Sequence, residues 1–201
     1  MIAILDYGIG NLKSIHNMFK KVRVESVITS DIELIIKADK YILPGVGSFD
    51  YGITSLRTAV FFDSLTQEVV GNSKPILGIC LGMQLLTNSS EEGKEKGLGW
   101  IDASTIKFDL DDQSLSVPHM GWNKANPINA NDVFKNLEDN RFYFVHSYHV
   151  VCNDENNVLA TCNYGKSFAC SIHKNNIYGV QFHPEKSHKF GMQLLKNFGE
   201  L

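Results

Sequence analysis

Pro75-Ile76-Leu77-Gly78-Ile79-Cys80-Leu81-Gly82-Met83-Gln84-Leu85-Leu86 decides how the rest of the chain is read. The apolar run after Pro75 predicts a buried strand, and the segment from Met83 predicts the start of a helix. Cys80 stands at the junction, with Gly78 two residues before it and Gly82 two after. Gly-x-Cys-x-Gly is the spacing of a nucleophile elbow with Cys in place of Ser. A sharp strand-to-helix turn needs small neighbours, because side chains at 78 and 82 would collide with adjacent backbone. The turn would hold the sulfur at the mouth of a sheet, where the helix N-terminus favours a thiolate over a thiol. The plainer reading of an isolated Cys is a buried thiol in a strand. The flanking glycines favour the nucleophile.

Upstream of the elbow, strands alternate with helices. Residues 2–6 predict a strand, Leu12 to Lys21 a helix, and Val24 to Ile28 a second strand. Gly8-x-Gly10 lies between the first two, but Lys13 stands where a dinucleotide fingerprint needs its third glycine, so a tight turn is the better reading. Asp31 suits the N-cap of a short helix with Ile32, Ile35 and Ile36 on one side. Lys40 to Leu43 is a third strand and runs into Pro44-Gly45-Val46-Gly47-Ser48. Two glycines around one residue give a backbone free to change conformation and to approach a ligand closely. Helical patterns follow from Asp50 to Thr58 and from Val60 to Val70.

From Gly97 the character changes. Short β-rich runs appear at 97–101, 105–108, 141–145, 149–152, 158–162, 168–172 and 177–180, separated by Gly, Asn and Asp turns. A helix from Ser187 to Phe198 follows. The expected fold is α/β: a mostly parallel central sheet with helices on both faces and an antiparallel β extension. With no repeat, low-complexity stretch or linker, residues 1–201 are expected to form one domain.

Composition narrows the classes. Hydrophobic residues make up 43% and charged residues 20%, ordinary for a soluble globular protein. A net charge of -3 gives no reason to expect nucleic acid or an anionic membrane. No apolar run is long enough to span a bilayer, and no signal-peptide pattern opens the chain. The four cysteines show no CxxC spacing; Cys152, Cys162 and Cys170 fall in strand-like stretches as plain thiols, so a reducing cytoplasm is expected.

A thiol nucleophile needs a base, and the base needs an orienting group. Gln181-Phe182-His183-Pro184-Glu185 follows the last strand. His183 can take the thiol proton and return it to a leaving amine, while Glu185 holds the imidazole tautomer and stabilises the imidazolium. His146-Ser147-Tyr148-His149 is the other histidine cluster. With His119, His183 and His188 it invites a metal reading, but no pair has His-x3-His spacing and no Cys completes a tetrahedral set. A substrate-lining turn fits better, and no metal is expected. Met120-Gly121-Trp122-Asn123 reads as core packing or as an interface.

Taken together, the elbow with Gln84, the Pro44-Gly45-Val46-Gly47 loop, His146-Ser147-Tyr148 and His183-Pro184-Glu185 resemble class I, triad-type glutamine amidotransferases. Within that class, Asp6-Tyr7-Gly8-x-Gly10-Asn11, the Pro-Gly-Val-Gly loop, Met120-Gly121-Trp122-Asn123 and His183-Pro184-Glu185-Lys186-Ser187 resemble the glutaminase subunits of imidazole glycerol phosphate synthase. The likeness runs from residue 2 to the C-terminal helix. It implies that Cys80 attacks the side-chain amide of glutamine, that His183 protonates the departing ammonia, and that water hydrolyses the thioester. It also implies an oxyanion hole from the N–H of Leu81 and the Val46-Gly47 region. Gln84, Gly47 and the Ser147-Tyr148 backbone would hold the amino-acid end of glutamine, with Gly45 in the same loop. Ammonia would pass to a (β/α)8-barrel cyclase subunit in a heterodimer, with Asn11, Trp122, Tyr143 and Lys186 at the interface and passage. No cofactor is implied.

Three rival readings follow from the same residues. A paralogous glutaminase could supply ammonia to another synthase, such as a sugar-amidinating enzyme. A cysteine peptidase on a related fold would not need Gln84 or the Pro-Gly-Val-Gly loop. A non-catalytic subunit would not need Cys80, His183 and Glu185 together.

Overall fold

A computed structural model describes residues 1–201 apart from 111, 113 and 138. Thirteen strands and six α-helices are present among these residues. They are β1 (Ile2–Leu5), α1 (Leu12–Lys21), β2 (Ser26–Thr29), α2 (Ile32–Lys37), β3 (Lys40–Leu43), α3 (Phe49–Thr58), α4 (Phe62–Thr66), β4 (Ile76–Ile79), α5 (Leu81–Leu85), β5 (Ser89–Ser90), β6 (Ala103–Lys107), β7 (His119–Lys124), β8 (Asn126–Pro127), β9 (Arg141–His146), β10 (Tyr148–Cys152), β11 (Val158–Tyr164), β12 (Lys166–Lys174), β13 (Ile177–Val180) and α6 (His188–Glu200).

The main sheet runs in the order β2-β1-β3-β4-β13-β12-β10-β6-β5, with β11 on β12 and β8 on β11. From β2 to β13 every neighbouring pair is parallel. From β13 outward the pairs β13–β12, β12–β10 and β10–β6 are antiparallel. The expected parallel core with an antiparallel extension is therefore the observed fold. Strands β7 and β9 form a separate antiparallel ribbon.

Side-chain alternation along the strands builds both faces. Ile2 and Ile4 of β1 and Ile42 of β3 join Ile15 and Phe19 of α1 and Leu194, Leu195 and Phe198 of α6 in one apolar cluster. Ala3, Leu5, Tyr41 and Leu43 point the other way and meet Ile35 of α2, Phe49, Ile53 and Leu56 of α3 and Leu65 of α4. A period of two in buried strands thus delivers one set to each helical layer. Burying an aromatic or aliphatic side chain of this size contributes about 1.5–3 kcal/mol.

Several local expectations need correction. Asp31 caps α2 through the Glu33 N–H at 2.8 Å. However, α2 is only six residues long, and Ile32 and Ile36 are 39% and 48% exposed, so Ile35 alone is buried. The stretch 97–101 is not a strand. Its N–H groups of Leu98, Gly99 and Ile101 donate to the carbonyls of Leu85, Thr87 and Leu86, closing the C-terminal end of α5. The helical reading of 60–70 divides into α4 and a single π-helical turn, Gln67–Gly71. The aromatic and glycine cluster at 120–123 belongs to a strand, β7, that pairs along its whole length with β9.

Candidate active site

Four strands of the parallel region end at the same edge, and the candidate residues come from the loops beyond them. In open α/β sheets this carboxyl edge is where ligands bind. Strand β1 leads to Asp6–Asn11, β3 to Pro44–Gly47, β4 to Cys80, and β13 to Gln181–Glu185. Strands β4 and β13 are direct neighbours, and the Cys80 N–H donates to the Val180 carbonyl at 2.8 Å, carrying their ladder into the elbow.

Cys80 has φ +54° and ψ −110°, a conformation that L-residues rarely adopt. The neighbouring glycines make that turn possible. A Cβ on Gly82 would sit 1.9 Å from the Leu43 carbonyl oxygen, and one on Gly78 would sit 2.6 Å from the Gly82 oxygen. Gly45 serves the same packing, because a Cβ there would lie 2.6 Å from the Gly82 nitrogen. Gly47 differs: its φ is +94°, and nothing lies within 4 Å of where a Cβ would be. From the sequence, conformational freedom is expected at both loop glycines. Only Gly47 uses it, while Gly45 allows close approach. The carbonyl of Pro44 accepts a hydrogen bond from the Tyr7 hydroxyl, which anchors the loop's start.

Cys80, Leu81, Gln84, Val46, Gly47, Ser147, Tyr148, His183 and Lys186 line one cavity of about 350 Å³. His183 is 2% exposed, and its Nδ1 lies 2.8 Å from Oε1 of the equally buried Glu185 carboxylate. Glu185 thereby holds the proton on Nδ1 and leaves Nε2 for the Cys80 sulfur. Burial would push the His183 imidazolium pKa down. Hydrogen bonds to Cys80 and Glu185 and their charges outweigh it and raise the value to about 10. Both partners thus favour the charged form of the ring. His183 is held by β9 as well: its backbone N–H donates to the Tyr143 carbonyl at 2.9 Å. Ser187 Oγ accepts from the Tyr143 N–H at 3.0 Å and donates to the His183 carbonyl at 2.6 Å.

Burial pushes the Cys152 thiol up to about 11, Cys162 up to about 12 and Cys170 well above its ordinary value.

Gln84 is buried, and its Nε2 donates to the Tyr148 carbonyl at 3.3 Å and to Gln181 Oε1 at 3.0 Å. Tyr143, Trp122 and Lys186 meet at the rim. The Lys186 ammonium lies 5.7 Å from the Tyr143 ring centroid, and Trp122 packs edge-on against the same ring at 6.3 Å. Trp122 also stacks on His188 at 5.5 Å. Asn11 is exposed at the start of α1, where its side chain accepts from the Ser14 hydroxyl at 2.9 Å. His119, His146 and His149 gather in an aromatic box with Phe108 and Phe168, and His146 also lines the cavity. Among the described residues no three His, Cys, Asp or Glu side chains converge on one metal position. Nor is any helix long and apolar enough to cross a membrane.

Glu92 and Gln181 are among the lining or contacting residues that escaped the sequence reading. Glu92 lines the cavity, and its Oε2 accepts from the Phe49 N–H at 2.9 Å, next to the glycine loop. Gln181 places its Nε2 3.7 Å from the Cys80 sulfur. Gln181 was within sight, two residues before His183. Glu92 lies in an irregular acidic loop with no spacing signal.

The profile of glutamine amidotransferase class-I matches residues 3–200. The chain is 57% identical to imidazole glycerol phosphate synthase subunit HisH 2 of Methanococcus maripaludis, over 98% of each chain. It is 48% identical to the subunit of the same name from Pseudomonas aeruginosa over 100% of each. The PurLQS structure of Thermotoga maritima shares the fold, with a TM-score of 0.71 at 18% identity over 98% of this chain and 96% of that one. The chain therefore belongs to the class I glutamine amidotransferases and, within them, to the HisH subunits of imidazole glycerol phosphate synthase.

Proposed function

We propose that this chain, as one glutamine amidotransferase domain, hydrolyses glutamine to glutamate and ammonia through Cys80, His183 and Glu185. The ammonia passes to a (β/α)8-barrel cyclase subunit, which uses it to make imidazole glycerol phosphate in histidine biosynthesis. One observation carries the reading: an elbow Cys and a carboxylate-oriented imidazole line a single cavity.

The steps follow from these groups. The Cys80 thiolate attacks the side-chain amide carbon of glutamine, and the carbonyl oxygen takes up the negative charge. Leu81 opens α5, so its N–H precedes the intrahelical ladder and is free to bind that oxyanion. A second N–H comes from the Val46–Gly47 peptide. His183 gives its proton to the leaving ammonia, and the C–N bond breaks to leave a glutamyl thioester. His183, now neutral, takes a proton from water. The hydroxide attacks the thioester, glutamate departs and the thiolate returns.

Gln84, Gly47 and the Ser147–Tyr148 backbone hold the amino-acid end of glutamine. The carboxylate of Glu92, in the same cavity, suits its α-ammonium group. Ammonia leaves past Asn11, Trp122, Tyr143 and Lys186. Exposure of Met120 (60%) and Trp122 (47%) supports a partner on the β7–β9 ribbon.

The test is Cys80→Ala in the complex with the cyclase. Glutamine hydrolysis should vanish, while imidazole glycerol phosphate formation from added ammonia should continue. Glutamine turnover retained by a clean Cys80→Ala preparation would refute the assignment.

A further inference from the structure

Hydrogen bonds along one wall of the cavity form one continuous chain whose polarity can be deduced. It starts from a group that can only accept, the Tyr148 carbonyl. His146 Nδ1 lies 2.7 Å from that oxygen, so Nδ1 carries the proton and Nε2 carries a lone pair. His119 Nδ1 lies 3.0 Å from His146 Nε2, so it must donate. His119 Nε2 then accepts from the Asn123 amide at 3.3 Å. That amide is oriented independently, because its oxygen accepts from the Lys124 N–H at 2.8 Å and its nitrogen donates to the Asn163 carbonyl at 2.9 Å. Both histidines are neutral in this pattern. Burial agrees with it, pushing His119 down to about 4 and His146 down to about 3.

The same carbonyl orients the residues on its other side. Gln84 must present Nε2 to Tyr148 O, and its second hydrogen goes to Gln181 Oε1. Gln181 therefore turns Nε2 toward the sulfur, 3.7 Å away. Gln181 is fully buried, so no solvent competes for this contact. The chain runs without a break from Asn123 to Cys80.

We propose that Gln181 is a further catalytic residue, an N–H donor to the reacting sulfur, and that His146 and His119 are positioning residues that fix the Tyr148 carbonyl at the substrate end of the cavity. The proposal rests on the glutaminase reading, and it deepens that reading in two ways. A donor on the thiolate favours it over the thiol. A carbonyl clamped by both His146 and Gln84 keeps the Ser147–Tyr148 backbone in register with the bound amino acid.

The experiment pairs two readouts on the full chain. The first is the pH–rate profile of Cys80 alkylation by iodoacetamide, which needs no glutamine and no partner. Loss of a hydrogen bond to a charged group should lower the neutral-pH rate of Gln181→Met roughly 10- to 100-fold and move the profile to higher pH. Gln181→Glu, nearly isosteric, should move it at least as far by facing a carboxylate to the sulfur. The second readout is glutamine kinetics in the complex. His146→Leu should raise KM more than it lowers kcat, and His146→Asn, which keeps a donor near the Nδ1 position, should recover most of the loss. Unchanged alkylation profiles in both Gln181 variants would overturn the sulfur contact. An unchanged KM in His146→Leu would overturn the positioning role. Wild-type complex that alkylates normally but does not turn over glutamine would refute the glutaminase reading instead.

Discussion

Replacing Gly47 by Ala isolates a conformational switch from any packing effect. Nothing lies within 4 Å of the new Cβ, so the cost arises from the backbone alone. At φ +94° an L-residue carries a penalty of about 1–2 kcal/mol relative to right-handed conformations. A half-turn of the Val46–Gly47 peptide takes φ at 47 to about −86°, inside a region that L-residues occupy freely. Val46 is 44% exposed, so the turn drags no buried side chain with it. Tyr7 holds the Pro44 carbonyl and Gly45 is pressed on the elbow, which confines the movement to this one peptide. If the free chain rests with φ positive and the half-turn brings an N–H to the oxyanion, Ala shifts the equilibrium toward the competent state. The shift is about 5- to 30-fold, the penalty converted to a population ratio. The assay is initial-rate glutaminase activity of the free chain, of the complex, and of the complex with acceptor ligand. Wild type should be slow alone and strongly stimulated. Gly47→Ala should be faster alone by about that factor, with a stimulation ratio smaller to match. An unchanged basal rate in a folded Gly47→Ala chain, with wild-type stimulation, would refute the switch.

Other expectations follow from the same site. His183→Asn should lose roughly 10²–10⁴ in kcat, and Glu185→Gln less, since Glu185 only orients the base; single-turnover assays that reverse this ranking would defeat the roles of base and orienting group. Lys186→Ala should impair coupling to the cyclase more than thiol chemistry, read as ammonia transfer against Cys80 alkylation, and no change in transfer would reject it. Folded His119 and His146 sit below the ordinary histidine value, at about 4 and about 3, so the unfolded chain binds more protons below pH 6.5. Their contribution to stability is full above that pH and is lost as pH falls toward 4. Urea midpoints of wild type should therefore drop more steeply across this window than those of His119→Phe, and parallel slopes would contradict the buried neutral pair.

The parallel half of the sheet was legible because its strands are buried on both faces and read as short apolar runs between helices. Ile2 to Leu5 and Ile76 to Ile79 are buried throughout. The elbow was legible because a glycine pair two residues either side of a Cys, at the end of an apolar run, leaves room for little but a sharp turn. Strand β7 was not, because it lies outside the main sheet and buries only His119 and part of every second residue after it. Its two apolar residues, Met120 and Trp122, have strand spacing but lie on the exposed face, so they mark no core-facing set. The misread stretch 97–101 has strand-like composition, but its backbone donors are taken by helix-end carbonyls. Spacing cannot reveal such pairing, because the partners lie on another element. Gln181 stood in view but could not be read, for a related reason: a glutamine two residues before a candidate base is informative only once its amide can be oriented by Gln84 and Tyr148.

The three silent thiols turn Cys80 into a counting device. Cys152, Cys162 and Cys170 are held protonated far above neutral pH by burial. Cys80 opens into the candidate site beside His183 and an amide donor, whereas Cys152, which lines a separate pocket, keeps its proton. A slow, weakly reactive electrophile added near pH 7 should thus stop at one equivalent per chain. The end point of such a titration gives the active fraction of a preparation, so rates measured with and without a cyclase can be expressed per competent site.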